Sequence, residues 1–121
     1  MDMKTKKELK DAYKQMKSRM GVFQIRSLSN GKIFLGSSTD LKAIWNSQRL
    51  QLELGSHPNT ALQQDWKALG PDSFVYEILE EIDPPEDETT DPRAELKALL
   101  ALYLDALKPY EEKGYHPKPK T

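Results

Sequence analysis

His57 and His116 are the only imidazoles in the chain, and there is no cysteine. Two histidines are too few for a histidine-rich metal site, and the lack of thiols removes thiolate catalysis, disulfides and a cysteine-built zinc centre. His57 stands in Gly55-Ser56-His57 just before Pro58-Asn59. An imidazole there either contacts phosphate or sits at the start of a helix, and the structural role is favoured. His116 lies in a Pro/Lys stretch that offers it no evident partner. Among the carboxylates, Glu77, Glu80 and Glu81, together with Arg49 or a nearby lysine, are the material from which metal-dependent phosphodiester hydrolysis could be built. Glu86, Asp87, Glu88 and Asp91 crowd one segment, but their spacing is not that of an EF-hand loop and the central glycine is missing, which marks a solvated segment. Arg26, Lys32, Lys42, Arg49 and His57 are the candidates for phosphate contacts.

The elements that must position these groups follow from periodicity. Leu9, Ala12, Tyr13, Met16 and Met20 fall on one stripe, predicting an amphipathic, lysine-rich helix over residues 1–20 packed on the domain. Lys4, Lys7, Lys14 and Lys17 on its outer face are either a solvated surface or a phosphate track, the former favoured. Val22 to Arg26 and Lys32 to Leu35 are β-branched and aromatic runs joined through Ser-Asn-Gly, a hairpin signal because Asn-Gly readily takes positive φ. Ser-Ser-Thr-Asp then supplies N-cap candidates for a helix that carries Leu41, Ile44, Trp45, Gln48 and Leu52 on one face and stops at Gly55. A second helix begins near Asn59, buries Leu62, Trp66 and Leu69, and ends at Gly70-Pro71.

Phe74 to Ile82 reads as a third strand, with Phe74, Tyr76 and Ile78 on one face and Val75, Glu77 and Leu79 on the other. The acidic, proline-bearing stretch 83–92 has nothing to bury and reads as an exposed loop. A last helix places Leu96, Leu99, Leu100, Tyr103, Leu104 and Leu107 on a broad apolar stripe before Pro109, and residues 108–121 read as a loosely held tail.

With 121 residues, one compact domain is expected. Its 37% hydrophobic and 31% charged residues are an ordinary water-soluble balance, and no apolar run reaches the ~20 residues that span a bilayer. The N-terminus lacks the succession of a signal peptide, so a cytoplasmic location is expected. A formal net charge of −1 argues against indiscriminate polyanion binding, but it averages a basic first twenty residues with an acidic stretch from Glu77 to Glu95.

From Gly21 to about Leu107 the order hairpin, two helices, strand, helix resembles the GIY-YIG nuclease family. The two name-giving tripeptides stand here as Gly21-Val22-Phe23 and Phe34-Leu35-Gly36, with Asn30-Gly31-Lys32 between them. Gly36-Ser37-Ser38, Asp40-Leu41, Trp45, Gly55-Ser56-His57, Leu62-Gln63, Trp66 and Phe74 to Glu81 follow in family-like order. The resemblance implies an α+β fold, a three-stranded antiparallel sheet flanked by helices, here with the added N-terminal helix. In DNA-cutting members two tyrosines, an arginine, often a histidine, and a metal-binding glutamate form one site, managing protons, phosphate charge and the divalent ion. The matching positions here are Phe23, Phe34, Ile44, Gln48 and Leu100, none of which can do that chemistry in kind.

The resemblance therefore implies a GIY-YIG nuclease-like module with no intact catalytic set, a pseudoenzyme that binds nucleic acid or a protein through the surface around the former cleft. The alternative is a metal-dependent GIY-YIG DNA endonuclease with a rebuilt active site, and a further alternative is a self-associating structural module. No cofactor is expected; Mg or Mn enters only with the enzyme alternative, and no membrane partner is expected.

Overall fold

The computed structural model of the chain describes residues 19–83 and 90–117. The expected N-terminal helix with its lysines, most of the acidic loop, and the last four residues lie outside the described residues. Met20, expected on that helix, instead opens the first strand.

β1 (Met20–Ser27), β2 (Ile33–Ser38) and β3 (Phe74–Ile82) form an antiparallel sheet in the order β2-β1-β3. The β1–β2 connection is looser than an Asn-Gly two-residue turn. Ser27 N–H donates to Lys32 O at 2.9 Å, so four residues form the loop, and of these only Gly31 has positive φ (75°). Side chains alternate across the sheet. Phe23, Ile25, Phe34, Phe74 and Tyr76 face one side, and Val22, Gln24, Arg26, Leu35 and Glu77 the other. The expected faces of β3 hold up to Ile78, but Ile78 pairs with Phe23 while Glu80 pairs with Val22, so Leu79 is the extra residue of a β-bulge.

α1 (Leu41–Leu54) and α2 (Thr60–Leu69) cover the aromatic face. Both start on side-chain caps: Asp40 accepts from Ala43 N–H and Asn59 from Leu62 N–H, each at 3.0 Å. Gly55, at φ 77°, ends α1 by returning its N–H to Gln51 and Leu52 carbonyls. Phe23, Ile25, Leu41, Leu52, Leu62, Trp66, Phe74 and Tyr115 form the core beneath these helices. Leu69 does not join it; at 37% exposure it lies on the surface, because the chain turns away at Gly70 immediately after it. α3 (Arg93–Leu107) packs on β2 and β1, with Leu96 buried, Leu99, Leu100, Tyr103 and Leu104 half-buried and Leu107 exposed. None of the helices among the described residues is long and apolar enough to cross a membrane.

The segment after α3 corrects the expectation of a loose tail. Lys108 takes a left-handed turn (φ 44°), and residues 109–117 run back along the outer edge of β2. Pro109, Gly114 and Tyr115 are buried. Tyr115 N–H donates to Ile33 O at 3.0 Å, and Leu35 N–H donates to His116 Nε2 at 2.7 Å. Tyr115 also gives its hydroxyl to Asp65 at 2.7 Å and accepts, through its carbonyl, from Asn59 Nδ2 at 2.9 Å. Burial and that carboxylate together push the Tyr115 phenol well above its ordinary range. The segment thus blocks an edge that would otherwise present unpaired backbone groups.

Two outcomes follow. A Cβ on Gly36 would sit 2.5 Å from the tip of the Phe23 ring, so Gly36→Ala should cost about 1–3 kcal/mol of overpacking, read as a lower urea midpoint at unchanged slope. His116 accepts a backbone N–H through Nε2, so its bonded form is the neutral one; burial lowers its pKa below the ordinary 6.5. The unfolded chain therefore binds this proton more readily, and stability rises with pH across the window. The contribution should be complete above pH 6.5 and lost as pH falls through the lowered folded-state value. Urea melts at pH 7.5 and at pH 5 should show this loss, and His116→Ala should make it smaller, the buried His57 supplying the remainder.

Candidate functional site

The hairpin and α1 bring four of the five altered family positions to the aromatic face of the sheet. Phe23 is 2% exposed, its ring lying against Gly36, which has no side chain to displace it. Phe34 and Ile44 are half-buried and pack against the same core, as do Trp45 and Tyr76. Phe34 is held between two imidazoles, with His116 stacked at 5.0 Å and His57 edge-on at 5.5 Å. The result is an apolar and aromatic cluster, buried at Phe23 and partly exposed at Phe34 and Ile44.

A phenol does pack against Phe23, but from another strand. Tyr76 meets it at 5.4 Å between ring centroids and stacks on Trp45 at 4.9 Å. Its hydroxyl donates to the Leu41 carbonyl at 2.6 Å, and burial raises its pKa. A phenol whose proton is committed to a backbone carbonyl, and which ionises less readily than usual, is a poor proton acceptor.

His57 is 5% exposed and is not open to phosphate, which corrects its candidacy as a nucleic-acid contact. Its Nδ1 accepts from Asn59 N–H at 3.0 Å, which leaves the ring proton on Nε2, donated to Gln48 Oε1. Burial lowers its pKa, as it does for His116. Gln63 completes the anchorage by accepting from His57 N–H at 3.0 Å and donating to Leu52 O at 2.9 Å. Gln48, expected at a catalytic position, serves to fix the loop between α1 and α2.

The other candidate cations do not converge on one patch. Arg26, on the face opposite the aromatic cluster, makes a two-point contact with Glu77 at 2.7 and 3.3 Å. Arg49 pairs with Glu53 one helical turn away at 3.1 Å. Lys32 lies 5.8 Å over the Tyr115 ring, and Lys42 is exposed at the start of α1. The acids of the rebuilt-site alternative are likewise engaged separately. Glu77 also takes a bond from Gln24 at 3.0 Å, Glu80 accepts from the Tyr103 hydroxyl at 2.7 Å, and Glu81 is clamped by Arg19, with Nη2 at 2.8 Å. Hydrogen bonds from Arg26 and Arg19 hold Glu77 and Glu81 below the usual carboxylate range.

Leu100 stands outside the aromatic cluster. It lines a separate pocket of about 320 Å³ between the end of β2 and the first turns of α3, whose charged walls are Arg93 and Lys97. This surrounding does not fit a divalent cation. Among the described residues it offers two cations and no carboxylate, and no three His, Cys, Asp or Glu side chains gather as a metal site. Sequence reasoning missed Arg93, Lys97 and the anchorage of His116. The four-residue spacing of Arg93 and Lys97 is visible on the last helix, but nothing local links either to β2.

No family model matches the chain. It is 36% identical over 69 residues to intron-associated endonuclease 1 of Enterobacteria phage T4, a match covering 57% of this chain. That match spans 28% of the phage protein, well under a third of its length. Two solved structures are similar over nearly their whole length. The catalytic domain of homing endonuclease I-TevI superposes with a TM-score of 0.65 at 27% identity, covering 79% of this chain and 95% of that one. A point mutant of the catalytic domain of intron endonuclease I-TevI gives a TM-score of 0.69 at 25% identity, covering 85% and 97%. The antiparallel sheet with three helices matches the fold of those catalytic domains, and together with the two tripeptides at its centre these likenesses support a GIY-YIG-type domain.

Proposed function

We propose that this domain is a nuclease-like module that has lost phosphodiester cleavage and binds nucleic acid without cutting it. The observation that carries the reading is the packing of Phe23, Phe34 and Ile44 into one apolar cluster. Family members that cut DNA place tyrosines and an arginine at these positions, whereas benzyl and butyl groups neither take up a proton nor offset phosphate charge. The phenol at hand, Tyr76, is bonded to Leu41 O, and the imidazole at hand, His57, is committed to Asn59 and Gln48. General acid/base help is worth roughly 10²–10⁴-fold and a lost electrostatic contact roughly 10²–10³-fold, so their joint loss removes most of the rate even when the effects overlap.

The enzyme alternative would need Glu77, Glu80 or Glu81 to leave Arg26, Tyr103 or Arg19 and converge with a cation. Glu77 and Glu80 also stand on the sheet face opposite Phe23, by their pairing with Gln24 and Val22. The surroundings of Leu100 favour an anion over a metal. We therefore assign no step to Mg or Mn. A nucleic-acid partner is preferred to a protein partner because the two solved relatives are endonuclease catalytic domains.

With 10 mM Mg²⁺ or Mn²⁺ (concentrations of about this order supply excess metal for a hydrolytic site), the purified chain should leave duplex, branched and single-stranded DNA uncut. Metal-stimulated cleavage that vanishes on changing Glu77, Glu80 or Glu81 would overturn the loss of activity. Fluorescence anisotropy at low ionic strength should detect binding to at least one of these DNAs, insensitive to chelators and weakening steeply with salt. Absence of binding to all three would remove the nucleic-acid reading.

A further inference from the structure

We propose that the pocket between the end of β2 and the start of α3 is a seat for a backbone phosphate of nucleic acid, with Arg93 and Lys97 as its cationic wall. The inference rests on the nucleic-acid reading above and names the surface that would carry it. Four observations support it.

The first is charge. Arg93 and Lys97 are four residues apart, about 6 Å along one face of α3, and both line the pocket, while among the described residues no carboxylate does. The second is availability. Arg19, Arg26 and Arg49 are each held by a carboxylate, Glu81, Glu77 and Glu53. Arg93, by contrast, only approaches Asp91 at 4.0 Å with both side chains largely in water. Lys97 makes no ion pair among the described residues. An exposed contact of this kind contributes little and exchanges readily for a phosphate.

The third observation is the set of neutral donors. Ser37, Ser38 and Thr39 line the opposite wall. Ser38 is used locally, its hydroxyl donating to Asp40 O and accepting from Asp40 N–H at 3.0 Å each. The hydroxyls of Ser37 and Thr39 make no hydrogen bond among the described residues, so both can donate to a phosphate oxygen. The fourth is shape. Buried Leu96 and half-buried Leu100 supply the apolar part of the lining, and about 320 Å³ accommodates a phosphate with part of its flanking sugars. An apolar floor, guanidinium and ammonium on one side and hydroxyls on the other make an anion seat, and a phosphodiester satisfies all three.

The test uses the full chain with three probes: inorganic phosphate, the dinucleotide TpT, and a fluorescently labelled DNA in single-stranded and duplex form. TpT and the longer DNA should shift the backbone amide signals of Ser37 to Thr39 in ¹⁵N spectra. Arg93→Gln combined with Lys97→Gln should weaken DNA binding about tenfold or more at low salt and reduce the slope of log K against log[salt] by about 1, roughly 0.9 for the one phosphate seated. Lys67→Gln, on the exposed side of α2, should leave both unchanged. Both wall residues are solvent-exposed, so the double variant should keep the wild-type urea midpoint, which separates lost contact from lost fold. If the wild type binds DNA and the double variant binds equally well, the seat is wrong while the nucleic-acid reading stands. If DNA and TpT fail but inorganic phosphate shifts Ser37 to Thr39 in the wild type alone, the anion seat stands and its nucleic-acid occupant falls. If no probe moves those amides, the inference is overturned.

Discussion

The outer edge of β2 sets the condition that much of this domain answers. Leu35 N–H points away from β1, and water cannot serve it once α3 and the returning chain close over the strand. The partner is not a fourth strand but the imidazole nitrogen of His116, 2.7 Å away. That single acceptor has consequences in three directions. It requires a neutral His116, it lays the ring flat on Phe34, and it holds the segment from Pro109 to Pro117 along the strand edge, with buried Tyr115 tied to Asp65 and Asn59. An unsatisfied buried amide costs about 1–3 kcal/mol, so the bond is a substantial part of what holds the edge closed.

The same geometry sets the chemistry of the cluster around Phe23 and Phe34. Phe34 is clasped by two imidazoles that each spend a lone pair on a backbone amide, His116 on Leu35 and His57 on Asn59. Both rings sit in surroundings that lower their pKa, so the groups best suited to move protons near neutral pH are instead structural acceptors. Gly36 lets the Phe23 ring reach the sheet's centre, and Tyr76 fills the remaining space while giving its proton to Leu41. A reactive cleft needs exposed, loosely committed polar groups. This face presents rings, and the polar groups of Tyr76 and His57 are hydrogen-bonded within the protein.

Charge is arranged on the same economy. Arg19, Arg26 and Arg49 are matched with Glu81, Glu77 and Glu53, which fits a chain with a net charge of −1. Arg93 and Lys97 depart from this, standing near hydroxyls at the end of β2 with only the long, exposed Arg93–Asp91 contact among the described residues. A nearly neutral domain can still present a local anion-attracting site, because the field at a pocket is set by the charges lining it more than by the total.

The sequence alone determined what depends on neighbours within a few residues. The hairpin, the caps at Asp40 and Asn59, the stops at Gly55 and Gly70, and the limits of β3 and α3 all follow from propensity, turn chemistry and side-chain period, and the altered tripeptides pointed to the family. It could not determine which long-range partner each polar group would find. His116 looked partnerless because Leu35 is 81 residues away in sequence, Arg26 and His57 looked available until Glu77 and Gln48 claimed them, and Leu69 looked buried until the chain turned away from it. The meeting of Ser37 to Thr39 with Arg93 and Lys97 is likewise a product of packing α3 on β2. Local structure is encoded in local spacing, whereas burial, tautomer and the grouping of charges depend on which surfaces the folded chain brings together.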